Sequence, residues 1–354
     1  MDIVTFKVND FLRDSQILLK YKDTYGYIKE YNTKWLQLVK ENPYMERDDL
    51  ALILTIDDNV AVGEIVLLSG AIKINGIKDR VIWLGPFFLE KEYKNSGAGA
   101  VMILKTLSFA NSISKGVVQC GGGKEVRELY KSIGMKELGP LRKFIYFYSA
   151  EPILHKFIKI KPILKFLSIF LTPALKLYYV LKMGKLKQVL EYKTVSRFSK
   201  NIEEIIERKK ANFFPRDEAT LNWVIKLSGH PVIPFEIYSG TRLIGYCLLR
   251  VISLEGTRHN LPKIAVGELL DYMFDDEAKE NKKDLLIFAI NYFRDKGIEI
   301  FLFQHCDDEF TVLCKKFGMI RLGGHSVYFR PPEKINLAPG DEWFLTGGTS
   351  DAIF

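Results

Sequence analysis

The chain has 354 residues, 47% of them hydrophobic and 27% charged, and its 51 basic and 43 acidic side chains give a net charge of +8. That composition is normal for a soluble globular protein, and the length is enough for two ordinary domains. Four scattered cysteines without a Cys-x-x-Cys pair exclude a disulfide framework and a standard zinc site, and fit a reducing cytoplasm. We see no signal peptide at the N-terminus, so a cytoplasmic location is expected.

The excess positive charge is concentrated in one segment. Residues 151–190 contain eight lysines and one acid, Glu151, a net of +7. The rest of the chain is close to neutral, which is no electrostatic footprint for nucleic acid. We therefore expect no nucleic-acid partner, and the basic segment needs a local explanation.

The first ninety residues predict a short strand at 3–8, a helical stretch that includes Trp35, and an antiparallel meander over 50–90 with turns at 57–59 and 75–76. Four tyrosines precede or enter the helical stretch. Partly buried packing or a mobile loop is the expected role of this cluster, with stacking on a sugar as the alternative. The four are Tyr21, Tyr25, Tyr27 and Tyr31.

A strand, a turn and a helix follow in close succession. Residues 81–89 are apolar and of strand type, residues 90–96 are polar, and the small residues 97–100 open a run with helical spacing. Glycines at the start of a helix leave its first N–H groups free, and these groups form an anion site with the positive end of the helix dipole. The pattern therefore predicts a phosphate-binding turn.

Leu84-Gly85-Pro86-Phe87-Phe88-Leu89, followed after five residues by Asn95-Ser96-Gly97-Ala98-Gly99, resembles the acyl-CoA signature of the GNAT N-acetyltransferase superfamily. Lys94 stands where the family has Gln or Arg, a change that keeps the donor. The resemblance implies an α+β fold (α/β three-layer), with a mixed central sheet flanked by helices. It also implies acetyl-CoA, or another acyl-CoA, as cosubstrate, and the spacing of His and Cys residues separately leads us to expect no metal.

The same resemblance assigns the coenzyme-binding residues. The backbone of Phe88 and Leu89 would pair with pantetheine and polarise the thioester carbonyl. The turn would hold the pyrophosphate through Lys94, Asn95, Ser96, Gly97, Ala98, Gly99 and Ala100.

Two further residues are candidates for acid–base catalysis. Tyr130, in Leu129 to Met135, resembles the Tyr-x-x-x-Gly-Phe motif of the family, with Met135 in place of the Phe; in the family this Tyr lies near the sulfur and often acts as general acid. The alternative is a packed Tyr at a helix end, with Gly134 as its C′ residue. Glu64, in the middle of a strand, is our candidate general base, and Glu90 and Glu92 are alternatives nearer the turn.

The basic segment 151–190 has three open interpretations: a connector between domains, an amphipathic element on an anionic membrane surface through residues 152–187, or a dimer contact. Pro162 and Pro173 are expected to break any helix there. Its longest uncharged run, residues 166–175, is too short to span a bilayer.

The second half repeats the first. Leu313 to Gly323 matches Leu129 to Gly139 at a constant offset of 184, and a hairpin centred on Ser239-Gly240 stands in place of the meander. We therefore predict two tandem GNAT folds. The predicted divisions are 1–150 for the acyl-CoA domain, 151–190 for the connector, 191–335 for a degenerate GNAT domain and 336–354 for a tail.

The second copy lacks the glycines of the first at 279–284, and Cys314 stands in place of Tyr130, so we expect it to have lost coenzyme binding. His305, Cys306 and Cys314 fit no standard zinc spacing. Several short segments further resemble tandem GNAT proteins encoded with bacterial surface-polysaccharide machinery: Leu221-Asn222-Trp223, His230-Pro231 and Ile244-Gly245-Tyr246.

The sequence thus predicts an acyl-CoA-dependent N-acyltransferase (EC 2.3.1.-), with acetyl-CoA as the expected donor. Its acceptor would be an amine, with an amino sugar of a surface glycan as the candidate. Two alternatives stay open. One is a FemABX-like transferase that uses aminoacyl-tRNA, and the other is a non-catalytic GNAT-like protein at the membrane surface.

Overall fold

The computed structural model describes residues 1–155, 158, 160–183, 189–254, 264–338 and 341–348. These residues form one large mixed sheet flanked by helices, which confirms the predicted fold class. The division into domains at 150, 190 and 335 stays a prediction.

The first half begins with a meander whose turns lie where the sequence predicts them. Asp58, Asn59, Asn75 and Gly76 all have positive φ, the backbone that tight hairpin turns require. The strands are β1 (Asp2–Lys7), β2 (Lys22–Asp23), β3 (Leu50–Asp57), β4 (Val60–Ile74), β5 (Ile77–Leu89), β6 (Gly116–Cys120) and β7 (Lys136–Phe147). The helices are α1 (Val8–Arg13), α2 (Tyr27–Glu30), α3 (Leu36–Glu41), α4 (Ala98–Ser112) and α5 (Lys124–Ser132), with a π-helical turn at Tyr31–Trp35 and 3-10 turns at Ile17–Lys20 and Lys91–Tyr93.

The second half has the same order of elements after two linking helices. The helices are α6 (Glu151–His155), α7 (Lys161–Met183), α8 (Asn201–Arg208), α9 (Glu218–Leu227), α10 (Lys282–Asp295) and α11 (Asp308–Lys316), with a 3-10 turn at Asp276–Asn281. The strands are β8 (Glu191–Thr194), β9 (Asn212–Phe213), β10 (Val232–Ser239), β11 (Arg242–Leu254), β12 (Ile264–Phe274), β13 (Ile300–His305), β14 (Ile320–Arg330) and β15 (Trp343–Phe344). The β10–β11 hairpin is confirmed, with its turn at Gly240-Thr241, one residue later than the predicted centre.

The two halves exchange their last long strands. The order across the main sheet is β1-β3-β4-β5-β6-β14-β7-β13-β12-β11-β10-β8. Strand β14 of the second half thus pairs with β6 of the first, and β7 of the first half pairs with β13 of the second, both antiparallel. The two predicted sheets are therefore joined into one, and each half is completed by a strand from the other.

The register of β7 on β14 shows that the sequence repeat is a structural one. Leu141 pairs with His325, and these two positions are related by the repeat offset of 184. An antiparallel pair of equivalent residues marks a pseudo-twofold axis perpendicular to the sheet. Because of this axis, equivalent helices of the two halves lie on the same face, while equivalent strand ends point to opposite edges.

Each half buries a core on both faces of the sheet. In the first half α4 and α5 cover one face, with Met102, Ile103 and Tyr130 buried there. The opposite face is covered by α1 to α3, including the buried Trp35. Helices α10 and α11 pack on the second half as α4 and α5 do on the first, and α8 and α9 cover its other face.

The prediction that Pro162 and Pro173 break any helix is wrong. Helix α7 is continuous over 23 residues with Pro173 inside it. Pro162 lies in the first turn, where its missing N–H would have no partner in any case. Pro173 and Ile169 are exposed, so the carbonyl that loses its partner to Pro173 is on the solvent side of the helix.

By length and composition alone, Pro162–Lys182 could also cross a membrane, with a mean hydropathy of 1.4 over its most apolar window, of which 11% is buried. The short uncharged run had argued against this. Single helices of this kind also occur in soluble proteins. The low buried share therefore shows only that most of the apolar surface of this helix is uncovered.

The two equivalent helix ends offer a matched stability test. Gly134 and Gly318 have φ values of +83° and +79° and close α5 and α11 with the same pair of hydrogen bonds, which confirms the predicted C′ role of Gly134. A Cβ at Gly134 meets nothing within 4 Å, whereas one at Gly318 would lie 2.8 Å from the Tyr178 ring of α7. We expect Gly134→Ala to lower the free energy of unfolding by about 1 kcal/mol, and Gly318→Ala to lower it by more. Urea denaturation of both variants measures the difference, and equal losses would contradict the packing of α7 on α11.

Candidate active site

The predicted strand, turn and helix form as expected. Strand β5 ends at Leu89, a 3-10 turn spans Lys91–Tyr93, and α4 begins after Gly97. Gly97 is the N-cap of α4 with φ +80°, and a Cβ there would meet nothing within 4 Å. The free N–H groups of the first turn of α4 therefore open onto a bare backbone surface.

The side chains around this turn suit an anion. Lys94, Asn95 and Ser96 are exposed on it, and Ser96 Oγ accepts a hydrogen bond from the Ala98 N–H. Gly99 has a different role, because a Cβ there would lie 3.1 Å from the Phe87 ring. Its lack of a side chain lets α4 approach β5 closely, while Ala98 is buried and Ala100 is exposed.

Next to the turn, β5 carries a bulge and then leaves its neighbour. On β4 the register moves from Ile65 to Leu67 while on β5 it moves from Phe87 to Leu84, so one extra residue is inserted at Gly85-Pro86. Strands β5 and β6 pair only over Val81–Trp83. In the rest of β5, including Phe88 and Leu89, one backbone edge pairs with β4, and the other edge forms no pair with β6. We call this opening between β5 and β6 the first splay.

Glu64 lies directly across β4–β5 from Phe88 and is only 3% exposed. Among the described residues no partner lies within hydrogen-bond distance of its Oε2. Burial, together with the charges of Glu30 and Asp23, raises the pKa of Glu64 to about 8. A carboxyl group with that pKa can take up a proton near neutral pH, which is what a general base must do.

Aromatic rings cover Glu64 from the α1–α3 side. The Phe88 ring lies 5.1 Å from that of Tyr27 and 6.3 Å from that of Tyr25, and Phe88 remains 44% exposed. The loop that carries these tyrosines is held in place, because the Asp23 carboxylate accepts hydrogen bonds from the N–H groups of Gly26, Tyr27 and Ile28. Packing is thus observed for Tyr27 and Tyr31, which are buried, whereas Tyr25 is 59% exposed.

More polar groups converge on the same space. The hydroxyls of Tyr27 and Tyr31 are buried with no partner among the described residues, and burial raises the pKa of both. Glu90 is half-buried, one of its oxygens also has no partner there, and burial with the charges of Glu92 and Asp23 raises its pKa. Glu92 is exposed. Unpaired polar atoms in such number mark a polar site that water or a polar ligand would fill.

Tyr130 lies across the sheet from Glu64. Its side chain is buried with Ile65 on the α4–α5 face, and since neighbouring strand residues alternate in direction, Glu64 points to the other face. The Tyr130 ring lies 5.5 Å from that of Tyr328, and a Cβ on Gly122 would lie 3.4 Å from it. The two candidate acid–base residues therefore flank the sheet on opposite faces.

Sequence reasoning missed the residues that the second half contributes here. Tyr328 and His325 both lie on the exchanged strand β14, and a Cβ on Gly121 would be 3.8 Å from His325 Nδ1. The sequence indicated these residues only indirectly. The repeat that ends at Gly323 could be recognised, but the pairing of the following residues with β6 could not.

Solved structures show the same architecture. A GCN5-related N-acetyltransferase from Anabaena variabilis ATCC 29413 matches 93% of this chain and 72% of its own, with a TM-score of 0.56 and 10% identity. The N-myristoyltransferase of Saccharomyces cerevisiae with bound myristoyl-CoA matches 99% of this chain and 88% of its own, with a TM-score of 0.57 and 10% identity. The chain has the GNAT fold. No protein-family model matches it, and no curated protein sequence does.

The second half keeps the GNAT frame but fills its splay. Strand β12 has a bulge at the equivalent place and pairs with β13 only over Val266–Leu269. In the opening beyond, residues from the predicted tail pair with β13: the Gly347 N–H donates to the Gln304 carbonyl, and Thr346 forms a bridge with His305. Thr346 Oγ1 also donates to Asp271 at 2.5 Å.

The second-half turn also differs in backbone. Asn281 is the N-cap of α10, as Gly97 is of α4, and the two are 184 residues apart. Its φ is −81°, against +80° at Gly97. A cavity of about 880 Å³ opens beside this turn, and three of the cations that line it are in ion pairs: Lys282 with Asp307 and Glu309, Lys209 with Asp276, and Arg208 with Asp275. The same cavity is lined by the acidic Glu277, Asp308 and Glu342, which makes it a poor site for a phosphate.

Cys314, the counterpart of Tyr130, lies in an apolar core that does not favour a thiolate. In the described part of the chain, no cluster of three or more His, Cys, Asp or Glu side chains could hold a metal ion. Cys314 is fully buried, its Sγ 3.9 Å from His305 Nε2, and burial raises the pKa of the thiol well above its usual range. Burial also lowers the pKa of His305 to about 4, so neither group is charged near neutral pH.

The raised pKa of Glu64 predicts a pH-dependent stability. Since its folded pKa of about 8 lies above the unfolded value near 4.5, folding increasingly opposes the charged form as pH rises from 4.5 to 8. We expect Glu64→Gln to be more stable than the parent chain above pH 8, by at most about 5 kcal/mol, and to lose this advantage below pH 5.

Thermal unfolding at several pH values measures this effect. Glu92→Gln, at an exposed carboxylate, serves as the control and should change little at any pH. A Glu64→Gln chain with no gain in alkaline solution would mean that Glu64 is solvated in the folded state.

Proposed function

We propose that the chain is an acyl-CoA-dependent N-acyltransferase whose single active site is the first splay. One observation carries the proposal: the open edge of β5 beyond the Gly85-Pro86 bulge lies between an exposed helix N-terminus and a buried carboxyl group, Glu64, with a pKa of about 8. The similarity to two acyltransferases, one of them with a bound acyl-CoA, supports this assignment.

In the proposed complex the coenzyme lies along β5. Its pyrophosphate is held by the first N–H groups of α4, by the Gly97 backbone and by Lys94 and Ser96. Its pantetheine arm pairs with the unpaired edge of β5 at Phe88 and Leu89. An N–H of that edge polarises the thioester carbonyl and stabilises the oxyanion that forms on attack.

The chemistry is direct transfer without an acyl-enzyme. Glu64 takes a proton from the acceptor ammonium, and the free amine attacks the thioester carbon. The tetrahedral intermediate collapses to a thiolate and an amide whose nitrogen still carries the second amine proton. That proton leaves to solvent water, Tyr130 protonates the thiolate from the opposite face of the sheet, and Tyr130 regains its proton from solvent. The buried position of Glu64 keeps its pKa high enough to remove a proton and low enough to be ionised in mildly alkaline solution.

The acceptor in this proposal is a cationic amine. The site contains the carboxylates of Glu64, Glu90 and Asp23. No described lysine or arginine is among the causes of the shift in the pKa of Glu64. This excess of negative charge favours an ammonium group. The exposed rings of Phe88 and Tyr25 offer apolar surfaces of the kind that stack on a sugar face. An amino sugar of a surface glycan therefore fits the site, and acetyl is the proposed acyl group.

The chain would work in the cytoplasm or on the cytoplasmic face of the membrane. All four cysteines are free thiols, as expected in a reducing compartment. A peripheral membrane contact through the segment 152–187 is part of the proposal and is developed below.

Paired substitutions at the two equivalent N-caps test coenzyme binding. Gly97→Glu adds a side chain and a negative charge where the pyrophosphate would bind, and we expect it to weaken acetyl-CoA binding at least about 100-fold, by repulsion and by loss of the positive-φ turn. Asn281→Glu makes the same change in the second half and should leave the affinity within about twofold. Isothermal titration measures both. Equal effects would place the coenzyme elsewhere, and no binding to the parent chain would reject the proposal.

Kinetics test the two acid–base roles. For the parent chain kcat/KM should rise about tenfold per pH unit below pH 8 and level off above it, because Glu64 must be ionised. Glu64→Gln should lower kcat about 10²- to 10⁴-fold and remove that inflection, and Tyr130→Phe should lower kcat with little change in KM. The assay follows free thiol release with an amine acceptor, and glucosamine is the first to try. An unchanged inflection in Glu64→Gln would assign the base to another residue, and Glu90, whose pKa is also raised, would be tested next.

A further inference from the structure

Helix α7 has a wide apolar face that nothing in the described structure covers. Leu164, Ser168 and Tyr179 lie on the side that packs against the protein, with Tyr179 stacked on Tyr146 at 3.9 Å. On the opposite side six large side chains are 60% or more exposed: Phe166, Ile169, Phe170, Leu177, Val180 and Leu181. At 100° per residue these six span about 120° of the helix circumference, and Leu171 and Tyr178, each 44% exposed, widen the face to about 200°. A contiguous apolar surface of this size marks an interaction site.

The charges that α7 itself places beside this face are all positive, and one carboxylate of α6, Glu151, lies near Lys165. Lys165 and Lys176 are exposed and stand eleven residues apart, three full turns, so they line one flank of the apolar face. Lys182 lies on the other flank, and Lys161–Met183 contains no acid. An apolar face bordered by lysines is the pattern of a helix that lies in the headgroup region of an anionic bilayer.

The strand directions place this helix at the same edge of the sheet as the first splay. Strands β5 and β6 are parallel, and β6 and β7 are both antiparallel to β14, so β5, β6 and β7 all end at one edge. Helix α7 contacts residues at the end of β7: the Tyr179 hydroxyl approaches the Phe147 N–H, and Thr172 accepts from the Ala150 N–H. Strands β12 and β13 run the opposite way, so the second-half cavity opens at the far edge.

Two other occupants of the face fit less well. A helix spanning the bilayer would place Lys165 and Lys176 in hydrocarbon and would have to leave its packing on Tyr146 and Gly318. A second copy of the chain, in a symmetric contact, would bring lysine flanks of two α7 helices together with no acid on either helix to pair them.

We propose that α7 docks on an anionic membrane surface with its apolar face in the lipid, and that this turns the first splay toward the bilayer. An acceptor amine anchored in the membrane would then lie within reach of the site. The docking is inferred from α7 alone. That the orientation brings a membrane-anchored acceptor to the site rests on the function proposed above.

Flotation of the full chain with vesicles tests the docking. We expect the chain to float with vesicles of equal parts phosphatidylglycerol and phosphatidylcholine, to bind phosphatidylcholine alone far more weakly, and to be released by high salt. Phe166→Gln with Phe170→Gln should abolish flotation, while Ile77→Gln with Val312→Gln, at exposed apolar positions outside α7, should not. Lys165→Gln with Lys176→Gln should weaken partition about 25-fold, at about fivefold per lysine, and the exposed pair Lys40→Gln with Lys200→Gln far less.

Two results would overturn the docking. One is flotation that does not depend on the Phe166 and Phe170 pair. The other is absence of vesicle binding together with a dimer, seen by analytical ultracentrifugation, that the same two substitutions dissociate, since a second copy would then cover the face.

Hydrogen exchange on the bound vesicles tests the orientation. We expect slower exchange in α7 and at the first-splay edge, in the turns at 91–93 and 121–123, with no change in the 3-10 turn Asp276–Asn281 at the far edge. Protection at 276–281, or in α7 alone, would contradict the proposed orientation. Acetyl-CoA titration of the same samples separates the two proposals. Vesicle binding without coenzyme binding would reject the proposed function and leave the docking intact. Coenzyme binding without vesicle binding would reject the docking and leave the function intact.

Discussion

The antiparallel pairing of β7 with β14 is the contact on which the rest of the molecule depends. The last long strand of each half, β7 or β14, pairs only with strands of the other half. The backbone groups of both strands are paired on two sides, β7 by β14 and β13, and β14 by β6 and β7. Buried backbone groups must be paired, so neither half can complete its sheet alone. The halves should therefore fold as one cooperative unit rather than as independent domains.

The exchange also explains how a duplicated fold can hold one unequal site. Strand β14 brings Tyr328 to the ring of Tyr130 and His325 to Gly121, so the first splay is bordered by residues of both halves. In the second half the same opening is closed by Leu345 to Gly347 of the chain's own tail. The bulge is repeated in β5 and β12, so the two halves share the same strand framework. They differ in what lies in the opening beyond the bulge: the tail fills it in the second half, and no described strand fills it in the first.

The candidate site and α7 both depart from what stability alone would favour. Glu64 is a carboxyl group buried without a full set of partners, and such a group opposes folding once it ionises. Helix α7 leaves several large apolar side chains in contact with water. Departures of this kind concentrate where a protein binds something, and here both lie toward the same edge of the sheet, the one that the proposed membrane contact would cover.

The sequence by itself determined the local parts of this protein. The glycines at 97 and 99, the Gly85-Pro86 interruption and the repeated helix end at Gly134 and Gly318 were readable because each depends on the backbone of a few neighbouring residues. The same locality let the apolar residues around Glu64 indicate a strand. Tertiary structure decided the rest. Burial among distant residues raised the pKa of Glu64, solvent exposure let Pro173 remain inside a helix, and the strand exchange brought Tyr328 and His325 to the first half. Those outcomes depend on contacts between residues far apart in the chain, which no local pattern encodes.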